Sequence, residues 1–347
     1  MMRIAVDAMG GDYAPGAVIE GTAQALRDFP DIEIVLVGHL EKISFYLEKY
    51  RISSHPRLRL VHAEDVIEMG EPSTVALRSK KKSSMTIAAS LVSDGEADAI
   101  VSAGHTGAAV AATKVIVRTL PGVERPAIAA IMPAAEGKFI LVDAGANTDC
   151  KALHLAQFAV MGEAYSHLVF GIEKPKIGLL SVGGEDMKGN ELTKETFKIL
   201  SKMPINFVGN VEGHDVFART ADVIVCDGFV GNVLLKASES LAMATVHWIK
   251  NVFKKNAVRK TGAMLARNAF RDLKAIGDFE EYGGAPLLGL NAICVIGHGA
   301  SSHKAVRNAI RVAGEFVKFG LNDRIVNGIT EAGIAIDKQH AENKTNL

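Results

Sequence analysis

The chain is poor in aromatic residues, poor in cysteine and without net charge. Aromatics make up 6% of its 347 residues, with a single Trp, against 33 Gly. Its core must therefore be built from Ala, Val, Ile and Leu, with much backbone lying close to other backbone. The three cysteines, Cys150, Cys226 and Cys294, are far apart and form no C-x-x-C pair. That spacing argues against a disulfide framework or a zinc site and fits a reducing cytoplasm. Lys+Arg and Asp+Glu both number 39. Nothing draws the whole chain to nucleic acid, so a basic binding surface has to be local. The longest uncharged stretch, Tyr282 to His303, is broken by Gly283, Gly284, Pro286, Gly289, Gly297 and Gly299, so it is no spanning helix. The N-terminal MMRIAVDAMGGD meets Asp7 and a turn at once, and does not read as a signal peptide. G-x-G-x-x-G, the P-loop motif, G-x-S-x-G and H-E-x-x-H are all missing. Dinucleotide binding, P-loop NTPase, serine hydrolase and zincin chemistries lose support accordingly.

What is present is a repeating alternation. RIAVD, EIVLVG, LRLVHA, ADAIVSAG, FILVDAG, KIGLLSVG, INFVGN, DVIVCDG and AICVIGHG are short apolar runs without period-two alternation. They predict strands buried on both faces, hence a mostly parallel sheet. Helical patterns separate them, among them SSMTIAASLVSD, TGAAVAATKVIV, HLAQFAVMGEAYSHLV and SSHKAVRNAIRVAGEFVKF. The pattern predicts a doubly wound α/β/α fold in one catalytic domain over residues 1–337, of one body or two lobes around a cleft. A polar, frayed tail is expected over 338–347.

Many of the strands end in Gly and a small polar residue. In an open α/β sheet, ligands bind outside the carboxyl ends of the strands, where glycine turns and helix N-termini favour anions. A single such loop is more often just a tight turn; seven together point to a shared cleft for an anionic substrate. In SAGHTGA, Ser102, His105 and Thr106 are side-chain donors beside the amides of Gly104 to Gly107. VDAMGGD brings Asp7, Gly10 and Gly11; DAGAN brings Asp143 and Asn147; CDGFVGN brings Asp227 and Asn232. SVGGEDMKGN brings Gly183, Lys188 and Asn190, VGNVEG brings Asn210, and GHGASS brings His298 and Ser301. Lys188 suits neutralising an anion, and His298 suits protonating a leaving group, although a lone His at a strand end is more often structural. Asp7, Asp12, Asp143 and Asp227 could in principle hold Mg²⁺, but turn and cap roles are commoner. No metal and no cofactor is expected. Arg78, Lys80, Lys81 and Lys82 read as a solvated basic loop, or as a guide for an anion.

Nine motifs occur in order: VDAMGGD, SSM, SAGHTGA, VDAGAN, KGNEL, FVGNVEG, DGFVGNVLLK, YGGAPLLGL and HGAS. Together, over roughly residues 3–320, they resemble the bacterial phosphate acyltransferases of phospholipid synthesis, the PlsX type. Two positions depart from that pattern: His105 stands where Asn is usual, and SVGGED replaces an NVGEE-like run. The resemblance implies a fold like that of phosphotransacetylases and isocitrate-type dehydrogenases, and a homodimer. It implies the reaction of acyl-carrier protein with inorganic phosphate to give acyl-phosphate, passed on to a membrane glycerol-3-phosphate acyltransferase. A thioester is already activated and phosphate is largely dianionic near neutral pH. Direct attack without a covalent enzyme intermediate, helped by positioning and electrostatics, is then sufficient.

Residues Thr245 to Lys274 carry eight basic side chains (Lys250, Lys254, Lys255, Arg259, Lys260, Arg267, Arg271 and Lys274) against Asp272 alone. Apolar residues lie between them, and Thr261-Gly262 reads as the break in a helical hairpin spanning about 233–275. Such a hairpin suits an anionic membrane surface, the acidic carrier protein or a dimer contact. The resemblance favours peripheral membrane association of a cytoplasmic enzyme. Two rivals stand beside this reading: a dehydrogenase of the same fold, and a non-catalytic scaffold for acyl-carrier protein and membrane.

Overall fold

In the computed structural model, residues 1–345 are described except 69, 277 and 278, and at 73, 74, 76, 274–276, 279 and 334–345 the backbone alone is described. The strands are β1 (Met2–Asp7), β2 (Ile32–Gly38), β3 (Leu58–His62), β4 (Ala99–Ser102), β5 (Ala127–Pro133), β6 (Lys138–Val142), β7 (Ile177–Ser181), β8 (Phe207–Glu212), β9 (Val223–Val225), β10 (Ala285–Leu288) and β11 (Ile293–Ile296). The helices are α1 (Gly16–Asp28), α2 (Leu40–Lys49), α3 (Ser73–Ser79), α4 (Ser84–Ser93), α5 (Thr106–Ile116), α6 (Ala152–Phe170), α7 (Glu191–Leu200), α8 (Gly228–Phe253), α9 (Ala257–Leu265), α10 (Arg267–Ile276), α11 (His303–Lys318) and α12 (Leu321–Thr345). Helix α12 thus takes in most of the segment expected as a frayed tail.

The strands form one sheet in the order β3-β2-β1-β4-β11-β10-β5-β6-β9-β7-β8. Pairing is parallel from β3 to β11 and again from β6 to β8. In the middle, β10 is antiparallel to both β11 and β5, and β5 is antiparallel to β6. These reversals make the two parallel halves run in opposite directions. The carboxyl ends of β1, β4 and β11 therefore emerge at one edge, and those of β6, β7, β8 and β9 at the other.

Alternate residues of each strand feed two cores. Ile4 and Val6 join α1, α6, α11 and α12 on one face. Ala5 and Ile100 join α4 and α5 on the other. Burial on both faces is what continuous apolar strands require. Small side chains let the layers close: a Cβ on Gly21 of α1 would lie 2.6 Å from the His303 carbonyl oxygen of α11.

Candidate active site

At the first edge, the loop after β1 lies on the loop after β4. Ser102 Oγ donates to Asp7 Oδ2 at 2.7 Å and accepts the Gly104 amide at 3.1 Å. Asp7 Oδ1 accepts the Met9 amide. Asp7, Ser102 and Gly104 are buried. A Cβ on Gly10 would stand 2.6 Å from Asp7 Oδ2 and 2.7 Å from the Gly104 nitrogen, so only glycine allows this approach. Gly11, with φ +109°, turns the chain beneath the HGAS loop, where the Asp12 amide reaches the Gly299 carbonyl at 2.7 Å. Asp7, Gly10, Ser84, Met85, Ser102, Gly104 and His105 line one small cleft. VDAMGGD, SSM and SAGHTGA thus converge there, with HGAS against Gly11.

Two histidines of this edge accept backbone amides through Nδ1. His105 is the N-cap of α5, its Nδ1 accepting the Ala108 amide at 3.2 Å. Asn, the residue that the motif resemblance leads one to expect here, caps helices in the same way, so His105 preserves the cap. His298 is exposed and its Nδ1 accepts the Ala300 amide at 3.1 Å. Accepting at Nδ1 leaves the ring proton of each on Nε2. Thr106 is exposed and Gly107 half-buried in the first turn of α5. Ser301 lies beside Gly297, while Ser302 caps α11. In the basic loop, Lys80 pairs with Glu71 and Lys82 with Glu64.

The second edge is built around Asp143. Its Oδ1 accepts the amides of Ile128, Gly145 and Ala146, and its Oδ2 accepts the Asn147 amide and Nδ2, all within 2.8–3.1 Å. Burial pushes the carboxyl up, and these donors oppose the shift. Asp143 is fully buried, so its oxygens serve the loop rather than a ligand. Asn147 Nδ2 also donates to the Pro126 carbonyl at 2.7 Å. Asp227 caps α8, accepting from Phe229 and Val230. Asn232 lies within the helix and is exposed. Further along, Lys188 is exposed above the buried Gly183, Asn190 caps α7, and Asn210 Nδ2 donates to the Glu185 carbonyl at 2.8 Å.

The structure thus divides residues that the sequence grouped into one cleft. From β4 to β7 there are six strand spacings in the sheet order, about 29 Å along the sheet at ~4.8 Å each. Lys188 cannot share a bound phosphate with Ser102 or His105 of the same chain. Two groups escaped the sequence reading. One is Arg125, half-buried at the second edge with Nη1 donating to the Asp149 carbonyl. The other is the buried His154, whose Nε2 lies 2.8 Å from Glu124 Oε2. Their signal was weak because Glu124-Arg125-Pro126 precedes β5, a strand with no pattern to announce it.

The basic segment is helical but breaks elsewhere than expected. The turn falls between α8 and α9, where Asn256 caps α9, and Thr261-Gly262 lies inside α9. Phe253 and Phe270 meet edge-to-face at 5.3 Å. Leu241, Met243, Trp248, Val258, Met264 and Leu265 are exposed. Lys274 has no described side chain. Among the described residues no helix is long and apolar enough to cross a membrane.

Residues 2–324 match the family model described as "Fatty acid synthesis protein". A phosphate acyltransferase of Aquifex aeolicus is 49% identical over 326 residues, covering 94% of this chain and 96% of that one. One from Thermodesulfovibrio yellowstonii is 47% identical over 99% of both chains. Among solved structures, a phosphotransacetylase from Streptococcus pyogenes superposes with a TM-score of 0.60 at 18% identity, covering 91% of this chain and 94% of that one. A branched-chain phosphotransacylase from Enterococcus faecalis gives 0.56 at 16% identity, covering 91% and 99%. The last two share the fold; the near-half identity along the whole length goes further, and by it the chain belongs to the phosphate acyltransferase family.

Proposed function

We propose that the protein transfers a long-chain acyl group from the thioester of an acyl-carrier protein to inorganic phosphate, in phospholipid synthesis. The observation that carries this reading is the near-half identity to phosphate acyltransferases over almost the entire length. The first-edge cleft, where three of the nine motifs converge, is our choice for the reacting centre. A phosphate oxygen attacks the thioester carbonyl carbon, the C–S bond breaks, and the thiolate takes a proton. Amides opening α5, at Thr106 and Gly107, are suited to the oxyanion, and the Nε2 proton of His298 to the departing sulfur. Direct attack is favoured because burial raises all three thiols: Cys150 to about 11, Cys294 to about 12, and Cys226 well up. Thiols that stay protonated are poor acyl acceptors.

The same reading gives the helical segment two tasks. Exposed apolar side chains on α8 suit a second copy of the chain, and Lys254, Lys255, Arg259 and Lys260 suit an anionic membrane surface. Peripheral association would deliver acyl-phosphate to a membrane glycerol-3-phosphate acyltransferase. The deciding assay is release of free carrier thiol from acyl-carrier protein on adding phosphate. Binding of acyl-carrier protein without thiol release would make the protein a scaffold. A change in NAD(P)H absorbance with hydroxy acids would make it a dehydrogenase.

A further inference from the structure

The segment before β5 is held on three sides by buried or half-buried groups. Gln157 of α6 accepts the Glu124 amide with Oε1 at 2.9 Å and donates with Nε2 to the Gly122 carbonyl at 2.8 Å. His154 Nε2 holds the Glu124 carboxylate, while His154 Nδ1 accepts the Lys151 amide at 3.0 Å. Asn147 Nδ2 holds the Pro126 carbonyl. His154, Gln157 and Asn147 are each less than one-tenth exposed. These tethers bracket one residue, Arg125.

Arg125 is half-buried as a residue, with its guanidinium making its contact at the surface. Nη1 donates to the Asp149 carbonyl, and among the described residues Arg125 has no ion pair with a carboxylate. The buried or half-buried acids of this edge are otherwise engaged: Asp143 accepts five N–H groups and Asp227 caps α8. A planar fork with free N–H donors fits the oxygens of a phosphate group.

We propose that Arg125 is a binding residue for a phosphate group of the substrates. That group is either inorganic phosphate or the phosphodiester that links the carrier's prosthetic arm to its protein. The proposal rests on the acyl-transfer reading, and it assigns Gln157, His154 and Asn147 as the positioning residues that hold the fork in place.

The test uses full-length protein with Arg125→Ala and Arg125→Lys, and steady-state kinetics in each substrate. Arg125→Ala is expected to raise one KM about tenfold or more, the loss expected for a charge-assisted contact. Arg125→Lys keeps the charge without the fork and should fall between. Added guanidinium ion should restore part of the loss. A raised phosphate KM with unchanged carrier KM identifies inorganic phosphate and moves the reacting centre from the first-edge cleft to this edge. A raised carrier KM, with an acyl thioester of N-acetylcysteamine used equally by wild type and variant, identifies the phosphodiester. Unchanged KM values for both substrates overturn the proposal. So does an equal fall in kcat for all substrates that Asn147→Ala reproduces and guanidinium does not rescue, which marks a brace. If wild type releases no carrier thiol, the acyl-transfer reading fails separately. The site is then judged by melting temperature: inorganic phosphate raising it in wild type but not in Arg125→Ala supports the site, and no difference overturns it.

Discussion

Ser102 Oγ donates to Asp7 Oδ2 at 2.7 Å, joining residues 95 positions apart at the ends of neighbouring strands. The bond locks two glycine turns face to face, and Gly10 is the point of closest approach. Gly10→Ala would drive a methyl group into Asp7 and the Gly104 backbone. We expect a loss of about 1–3 kcal/mol from overpacking, with impaired turnover. Gly262→Ala, in open space inside α9, should instead be neutral or stabilising by up to ~1 kcal/mol. Urea denaturation of the two variants reads the contrast; equal stabilities would refute the close-packing account.

His105 is predicted to be replaceable by Asn but not by Ala. His105→Asn retains an acceptor for the Ala108 amide and should keep wild-type stability within ~0.5 kcal/mol, whereas His105→Ala should cost about 1 kcal/mol. Chemical denaturation gives both numbers. If turnover also survives His105→Asn, the ring itself has no chemical task.

Lys188→Ala should leave the phosphate KM within about twofold, because Lys188 stands six strand spacings from β4 and a direct charged contact is worth ~1.5–3 kcal/mol only at hydrogen-bond range. A tenfold rise in that KM would move the phosphate site to the second edge.

Arg3 and Asp98 tie β1 to the start of β4, with Nη2 to Oδ1 at 2.7 Å. Burial pushes the Asp98 carboxyl up, but the hydrogen bonds and charge of Arg3 outweigh it and hold it below its usual range. A depressed carboxylate contributes stability above its unfolded pKa and loses it on acidification. The stability advantage of wild type over Asp98→Asn should be constant near neutrality. It should shrink below pH ~3.9, the ordinary value, and vanish once the pH passes the lowered native value. Denaturation curves across that range check it; an advantage independent of pH would point to packing alone.

Replacing Lys254, Lys255, Arg259 and Lys260 with Glu should abolish binding to anionic vesicles and leave turnover of soluble acyl-carrier protein largely intact. Each basic residue near such a surface contributes about 1 kcal/mol. Flotation with anionic and neutral vesicles, at two salt concentrations, measures this. A change in oligomeric state on these substitutions would make the segment a subunit contact. Retained vesicle binding with lost turnover would make it the carrier's dock.

All nine segments read as strands from their apolar runs are strands, and they include both parallel halves. The two strands that gave no signal, AIAAIMP and APLL, are the ones that reverse the sheet. The first is alanine-rich and ends in Pro133; the second is four residues long and contains Pro286. Composition therefore announced a parallel sheet while hiding its change of direction. The same gap explains the site. Gly and His at strand ends were legible one loop at a time, but which loops share an edge depends on β5 and β10. Cap geometry was also beyond reach: Asp227 and Asn232 are both plausible caps by type, and only the start of α8 at Gly228 decides between them.

Strand β11 lies beside β4, although almost 200 residues of chain separate them, and α11 packs on α1 and β1. The first half of the sheet therefore lacks an inner strand and a covering helix until the ribosome has made nearly the whole polypeptide. Strands β5 to β9, by contrast, find all their strand neighbours but β10 within one continuous stretch, and only the α6 face there still awaits α12. Translation thus delivers the middle of the chain as the first region able to settle, while the N-terminal strands wait with an open flank for a partner that arrives last.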